Sequence, residues 1–164
     1  MTQTKEFTIS RTFDAPRDLV WKAWSEPEAF GQWWGPKGCK LDVAKFEFRP
    51  GGLFHYSMKM PAGQIWWGRI AYREIVKPER IVFVNSFSDA SGGITRAPFS
   101  ATWPLEVLNN LTFTEEGGKT TLDLRGGPIN PTDEERVSFE GMFASMKAGF
   151  GGTFDQLDAF LTKV

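Results

Sequence analysis

The stretch LFHYSMKMPAGQIWWGRIAYREIVKPERIVFVNSF, residues 53–87, limits the fold more than any other part of the chain. In LFHYSMKM, Phe54, Tyr56, Met58 and Met60 alternate with His55, Ser57 and Lys59, the two-residue period of a half-buried strand. MPAGQ and KPER then turn the chain into IWWGRIAYREIV and IVFVNSF. Closely spaced strands joined by turns this short indicate an antiparallel meander. Pairing Met60 near Gln64 puts Phe54, Tyr56, Met58, Trp66, Ile70 and Tyr72 on one face and His55, Trp67, Arg69 and Arg73 on the other. The first set is apolar enough to face a core, with a gap at Gly68 for a helix or a ligand to fill. The second is expected to be the solvated outer face, with His55 at the surface.

The meander is bracketed by helical signals. Phe7, Ile9 and Phe13 share a strand parity against Glu6, Thr8, Ser10 and Thr12. DAPRD starts a helix, with Pro16 at its first position and Asp14 and Asp18 at its positive end. SEPEAF starts a second short helix with Ser25 as N-cap. That helix runs into FGQWWGPKG, where Gly31 and Gly35 relax the backbone and Pro36 stiffens the exit. The Trp33–Trp34 pair reads as a packed corner, one ring buried and the other at the rim. Leu41 and Val43 oppose Phe46 and Phe48 in parity, which predicts a bulge near Ala44 and Lys45.

LEVLNNLTF, EEGGK and TTLDLR make a later hairpin with Leu122 and Leu124 facing in. Thr132 and Glu135 form a capping box, after which Phe139, Phe143, Met146, Phe150, Phe154, Leu157 and Leu161 make one long apolar helix face. Gly149, Gly151 and Gly152 interrupt it, each costing about 1 kcal/mol relative to alanine. Such a helix either lies close against the sheet there or bends. Residues 87–104 form a long connection with little periodicity that carries Phe87, Phe99 and Trp103, and connections of that length are usually functional or disordered.

Composition removes several classes of function. The chain has 164 residues, enough for one domain over 1–164, and a net charge of −1, so no global field recruits nucleic acid. Its 1 Cys and 1 His leave no disulfide, no cysteine zinc cluster and no His-rich metal site. Cys39 has no base nearby and reads as inert. Charged strand residues such as Glu47, Arg49 and Arg125 suit cross-strand pairs, and Glu74 with Arg80 a local structural pair. MTQTKEFTIS lacks the apolar core of a signal peptide, and no apolar run could span a membrane, so a cytoplasmic protein is expected. With 15 Phe and 7 Trp against 2 Tyr, the rings favour a dry interior or a dry pocket.

The order strand, two short helices, about six or seven antiparallel strands and a long amphipathic helix resembles the START-like helix-grip superfamily, also called SRPBCC. FDAPRDLVWKAWSEPEAFGQWWGP, FEFRPGGLFHYSM, GRIAYREIVKPERIVF and the late AGF and LDAF narrow the likeness to the branch related to activators of the heat-shock-protein-90 ATPase. It spans nearly the whole chain, departing at Phe150, where many relatives carry tryptophan. The resemblance implies an α+β fold whose curved sheet wraps a long C-terminal helix.

It also implies a non-enzymatic binder of a small hydrophobic molecule (a lipid, polyketide or aromatic metabolite) in a cavity between sheet and helix. The expected lining is Phe54, Tyr56, Met58, Trp66, Ile70 and Tyr72 from the sheet, Phe99 and Trp103 from the connection, and Met142, Phe143, Met146 and Phe150 from the helix. The two methionines add adaptable apolar surface. A second reading is a chaperone-assisting module that docks exposed rings such as Trp34 or Trp67 on a protein partner. A third is a cyclase-like enzyme using Tyr56 or Tyr72. No catalytic, metal or cofactor site is expected, and the chain is expected to be a monomer or weak homodimer.

Overall fold

A computed structural model describes residues 5–35 and 38–164. In chain order its elements are β1 (Phe7–Phe13), α1 (Arg17–Ser25), α2 (Pro27–Trp33), β2 (Lys40–Phe46), β3 (Leu53–Lys59), β4 (Ile65–Val76), β5 (Arg80–Ser88), β6 (Ile94–Thr95), β7 (Val107–Glu116), β8 (Lys119–Pro128), α3 (Asp133–Gly141) and α4 (Phe143–Leu161). The strands form one antiparallel sheet in the order β1-β8-β7-β5-β4-β3-β2, with the two-residue β6 pairing outside that path on β5. The eighth strand beyond the expected seven is this short β6, too brief to show a period.

Registers follow the alternation. Met58 faces Trp66 and Phe54 faces Ile70 across β3 and β4, closed by the Met60 N–H donating to the Gln64 carbonyl at 2.8 Å. The β2–β3 register shifts between Val43 and Lys45, the bulge that the parity switch predicts. Gly117 and Gly118, at φ 59° and 77°, make the two-residue turn of the β7–β8 hairpin, where a side chain would strain both positions.

One face of the sheet receives α4. Phe154, Leu157 and Leu161 from the helix are buried with Phe13, Leu111, Leu122 and Leu124 from the strands. Each such side chain contributes about 1.5–3 kcal/mol by leaving water.

Four expectations change at the helices and the corner. Pro16 is the N-cap of α1 and not its first residue, and Ser25 ends α1, leaving Glu26 as the N-cap of α2 with Pro27 behind it. The Arg17 N–H donates to Glu115 Oε2 at 2.8 Å, so a distant carboxylate caps the start that no local side chain caps. The capping box at Thr132 is present, but the C-terminal stretch is two helices. They are separated at Met142 (φ −102°, ψ 7°), which ends α3 and starts α4. Phe139 and Phe143 pack with Phe7, on which Phe150 also stacks, while Phe154 is buried against Phe13. Both rings of the tryptophan pair are buried, Trp33 at 1% exposure and Trp34 at 8%. Phe30 fills the space between them, and Trp33 Nε1 donates to the Ala23 carbonyl at 3.0 Å. The stiffening assigned to Pro36 lies outside the described residues.

His55 is also corrected. It is 7% exposed, because the chain leaving β5 folds back over the outer face of the sheet. Asp89 Oδ1 accepts from the N–H groups of Ser91 and Gly93, each at 2.9 Å, which tightens that turn. The Gly92 carbonyl accepts from Arg69 Nη1 at 2.8 Å, and His55 Nε2 lies 3.1 Å from the Asp89 carbonyl oxygen. The imidazole stacks on Trp67 at 4.9 Å. A parity rule finds the outer face but not a loop that returns to cover it.

Candidate functional site: a cavity between sheet and helix

The inner face of β3, β4, β5 and β7 does not meet α4 everywhere. Where Gly149 sits on the helix, a Cβ would meet nothing within 4 Å. The space left is a cavity of about 280 Å³, close to the lower end of the range of about 300–1,000 Å³ typical of small-molecule sites.

The gap expected at Gly68 is taken up in part from within the sheet, and Gly68 itself still lines the cavity. A Cβ there would lie 2.7 Å from both Cζ and Oη of Tyr56, so the phenol ring lies across the bare glycine. Tyr56 and Met58 line one wall, with Asn85 and Phe87 from β5 and Val107 and Asn109 from β7 continuing it. Met142, Met146, Phe150 and Thr153 face them from the helical side. Hydrogen bonds bind the tryptophan corner to α4. Gln156 Nε2 donates to the Trp33 and Gly35 carbonyls at 3.0 and 2.7 Å, and Thr153 Oγ1 to Gly35 at 2.9 Å. That attachment brings Trp34 into the cavity wall, 6.5 Å from Phe150.

The connection between β5 and β7 supplies the remaining side. Arg96 Nη1 donates to the Trp103 carbonyl at 3.0 Å and to Glu135 Oε2 at 2.5 Å, tying the connection to α3. The Arg96 hydrogen bond and the Thr132 backbone N–H hold the Glu135 carboxyl below its ordinary pKa. So anchored, Trp103 packs on Phe139 and, with Phe99, lines the cavity. Phe99 is 44% exposed and marks the mouth.

Of the expected residues, the cavity wall therefore holds Tyr56, Met58, Phe99, Trp103, Met142, Met146 and Phe150. The other five are placed elsewhere. Phe54, Ile70 and Tyr72 share the right parity but lie in the closed part of the core. Trp66 stands beside the mouth against Phe87 and Phe99, and Phe143 packs on Phe7 and Phe139. Trp34, Asn85, Asn109 and Gly149 are wall residues that the sequence reading missed. Asn85 and Asn109 carried a usable signal, since each is the one polar residue on an inward parity, in Ile81-Phe83-Asn85-Phe87 and Val107-Asn109-Leu111-Phe113.

Burial pushes the phenol of Tyr56 up, with hydrogen bonding to Trp34 opposing it more weakly. Burial and then the neighbouring Tyr56 push Tyr72 up as well. These 2 are all of the chain's tyrosines, which gives a simple test. Above pH of about 10 the unfolded chain releases phenolic protons that the native protein keeps. The stability they contribute is thus intact below that pH and is lost as pH rises toward the native values, by about 1.4 kcal/mol per pH unit for each tyrosine. Tyrosinate ultraviolet absorbance should rise together with loss of near-ultraviolet circular dichroism. Ordinary titration of both phenols in a still-folded protein would show the burial to be wrong.

Among the described residues, no group of three or more His, Cys, Asp or Glu side chains could hold a metal ion. No helix among them is long and apolar enough to cross a membrane. Burial raises the Cys39 thiol, which lies 3.4 Å from the Met60 sulfur.

The family model described as Activator of Hsp90 ATPase homolog 1-like protein matches residues 14–162. Solved structures share the fold over nearly the full length. A protein from Arthrobacter aurescens is 24% identical with a TM-score of 0.80, covering 97% of this chain and 87% of that one. Protein Ms6760 from Mycobacterium smegmatis is 26% identical with a TM-score of 0.78, covering 99% and 98%. The AHSA1 protein from Silicibacter pomeroyi is 18% identical with a TM-score of 0.69, covering 96% and 98%. No protein with a curated description matches the sequence.

Proposed function

The chain belongs to the Activator of Hsp90 ATPase homolog 1-like family, and from that membership we propose that it binds a small, mostly apolar molecule between the sheet and α4 without transforming it. The observation that carries this reading is the cavity of about 280 Å³ that Gly149 lines, where a Cβ would meet nothing within 4 Å although interiors are as a rule close-packed. A core selected only for stability would place a side chain there, gaining both packing and about 1 kcal/mol of helix propensity. The wall is of the kind that accepts a ligand: rings from Trp34, Phe87, Trp103 and Phe150, and the flexible thioethers of Met58, Met142 and Met146.

The chaperone-assisting alternative draws on the family's description, but the rings expected to dock are not free: Trp34 is buried and Trp67 is stacked on His55. For a cyclase-like reaction, Tyr56 is the phenol on the cavity wall, whereas Tyr72 lies in the closed core. Burial keeps the Tyr56 phenol protonated, which suits a hydrogen-bond donor better than a base.

The test is a titration of labelled, delipidated protein with fatty acids, flavonoid-like aromatics and sterols, followed by NMR. Saturable shifts are expected at the indole N–H of Trp34 and Trp103 and along residues 142–150. Gly149→Leu should keep the fold, because its side chain enters empty space, and should weaken binding at least about tenfold by occupying the site. No shift with any ligand class, or binding unaffected by Gly149→Leu, would overturn the proposal.

A further inference from the structure

We propose, building on that binding reading, that the ligand is an uncharged, ring-bearing molecule with a carbonyl or hydroxyl group, held by Asn85 and Asn109 on the sheet side of the cavity.

Charge sets the first limit. Among the described residues, none that lines the cavity carries a formal charge. A buried carboxylate or ammonium is best offset by an opposite charge, and among the described residues this wall offers no salt-bridge partner and no metal, only neutral hydrogen-bonding groups. A free fatty acid could place its chain here only by leaving its head outside.

The two asparagines set the second limit. They lie on neighbouring strands, Asn85 directly across from Val107 and Asn109 directly across from Phe83, so both project from the same inner face. Asn109 is 5% exposed, and its Nδ2 donates to the Val107 carbonyl at 3.2 Å. Its carbonyl oxygen rests over Gly126, where a Cβ would come within 2.6 Å. Gly126 therefore makes room for an amide laid flat against β8, and any larger residue would displace it. The Asn85 amide has no hydrogen-bond partner among the described residues. Asn85 is half-buried, so its amide reaches water in the empty cavity and a bound molecule would take over that hydrogen bonding, whereas apolar residues would serve a plain core better. An amide offers both N–H donors and a carbonyl acceptor, so it meets a ketone, an ester carbonyl or a hydroxyl equally well.

The third limit is shape. Trp34, Phe87, Phe99, Trp103 and Phe150 present ring faces and edges around the space, which favours a flat aromatic body over a flexible chain.

Three probes built on one diaryl frame separate these claims: benzophenone, diphenylmethane, which lacks the carbonyl, and 2-benzoylbenzoate, which adds a carboxylate. Their dissociation constants would be measured against the full chain by NMR titration. Benzophenone should bind about tenfold tighter than diphenylmethane, the size of one neutral hydrogen bond, and 2-benzoylbenzoate should bind weakest. Asn85→Leu, which keeps the volume, should reduce benzophenone to the level of diphenylmethane and leave the hydrocarbon's affinity unchanged or improved. Equal binding of the ketone and the hydrocarbon would overturn the asparagine assignment while leaving the cavity reading intact. Tightest binding by the carboxylate would overturn the neutral ligand. Silence from all three, together with silence from the broader panel, would remove the binding reading itself. The wild-type series decides between these results even if Asn85→Leu does not fold.

Discussion

Replacing Phe30 by alanine is expected to destabilise the protein by about 3–5 kcal/mol. Phe30 is 1% exposed and packs among Trp24, Trp33, Trp34, Phe46 and Phe54, with ring centroids 4.9–5.9 Å apart. It joins α1, α2 and the sheet at one point, and its removal leaves a hole that five rigid rings cannot collapse to fill. The loss should lower the melting temperature by about 6–20 °C for a chain of this size. Thermal melts followed by circular dichroism measure it directly. A loss under about 1 kcal/mol would mean that the tryptophan corner is not part of the core. Because the corner is tied to α4 through Gly35, the same variant should also loosen Trp34 at the cavity wall.

Gly68→Ala is expected to cost about 1–3 kcal/mol, although it adds one methyl to a strand. That methyl would lie 2.7 Å from the Tyr56 ring, which cannot retreat into the sheet and is held on its other side by Phe54, stacked at 4.6 Å. The ring's way out is toward the cavity, so ligand affinity should fall with stability. Denaturant unfolding of four proteins isolates the clash: wild type, Gly68→Ala, Tyr56→Leu and the double variant. In the Tyr56→Leu background the added methyl should cost less than about 0.5 kcal/mol, a coupling that independent sites do not show. An equal cost in both backgrounds would mean that something other than Tyr56 occupies the space over Gly68.

These two positions show where the sequence was informative and where it was not. The WWGP corner was legible as a packed feature because glycines flanked large apolar rings, yet which ring faced the cavity depended on how Gln156 and Thr153 hold Gly35. The parity of β3 and β4 correctly grouped Phe54, Tyr56, Met58, Trp66, Ile70 and Tyr72 on one face. It could not distinguish the positions along that face, since period tells side and not depth. Hence Phe54 and Tyr56, two residues apart on one strand, fall in the closed core and on the cavity wall respectively. The helix glycines were noticed as a disturbance, but Gly149 makes neither a bend nor a close contact; it borders empty space.

By itself, the sequence determined the strand alternation, the turns, the bulge after Val43, the capping box at Thr132 and the family. Apart from the family, which rests on motifs spread along nearly the whole chain, these depend on neighbours within a few residues, where backbone geometry and side-chain type act directly. Only the tertiary structure decided that β5's exit loop buries His55, that the apolar C-terminal stretch divides at Met142, and that a cavity remains opposite Gly149. A void is a property of what distant elements fail to fill, and no local pattern encodes the space between a helix and strands that lie far from it in sequence.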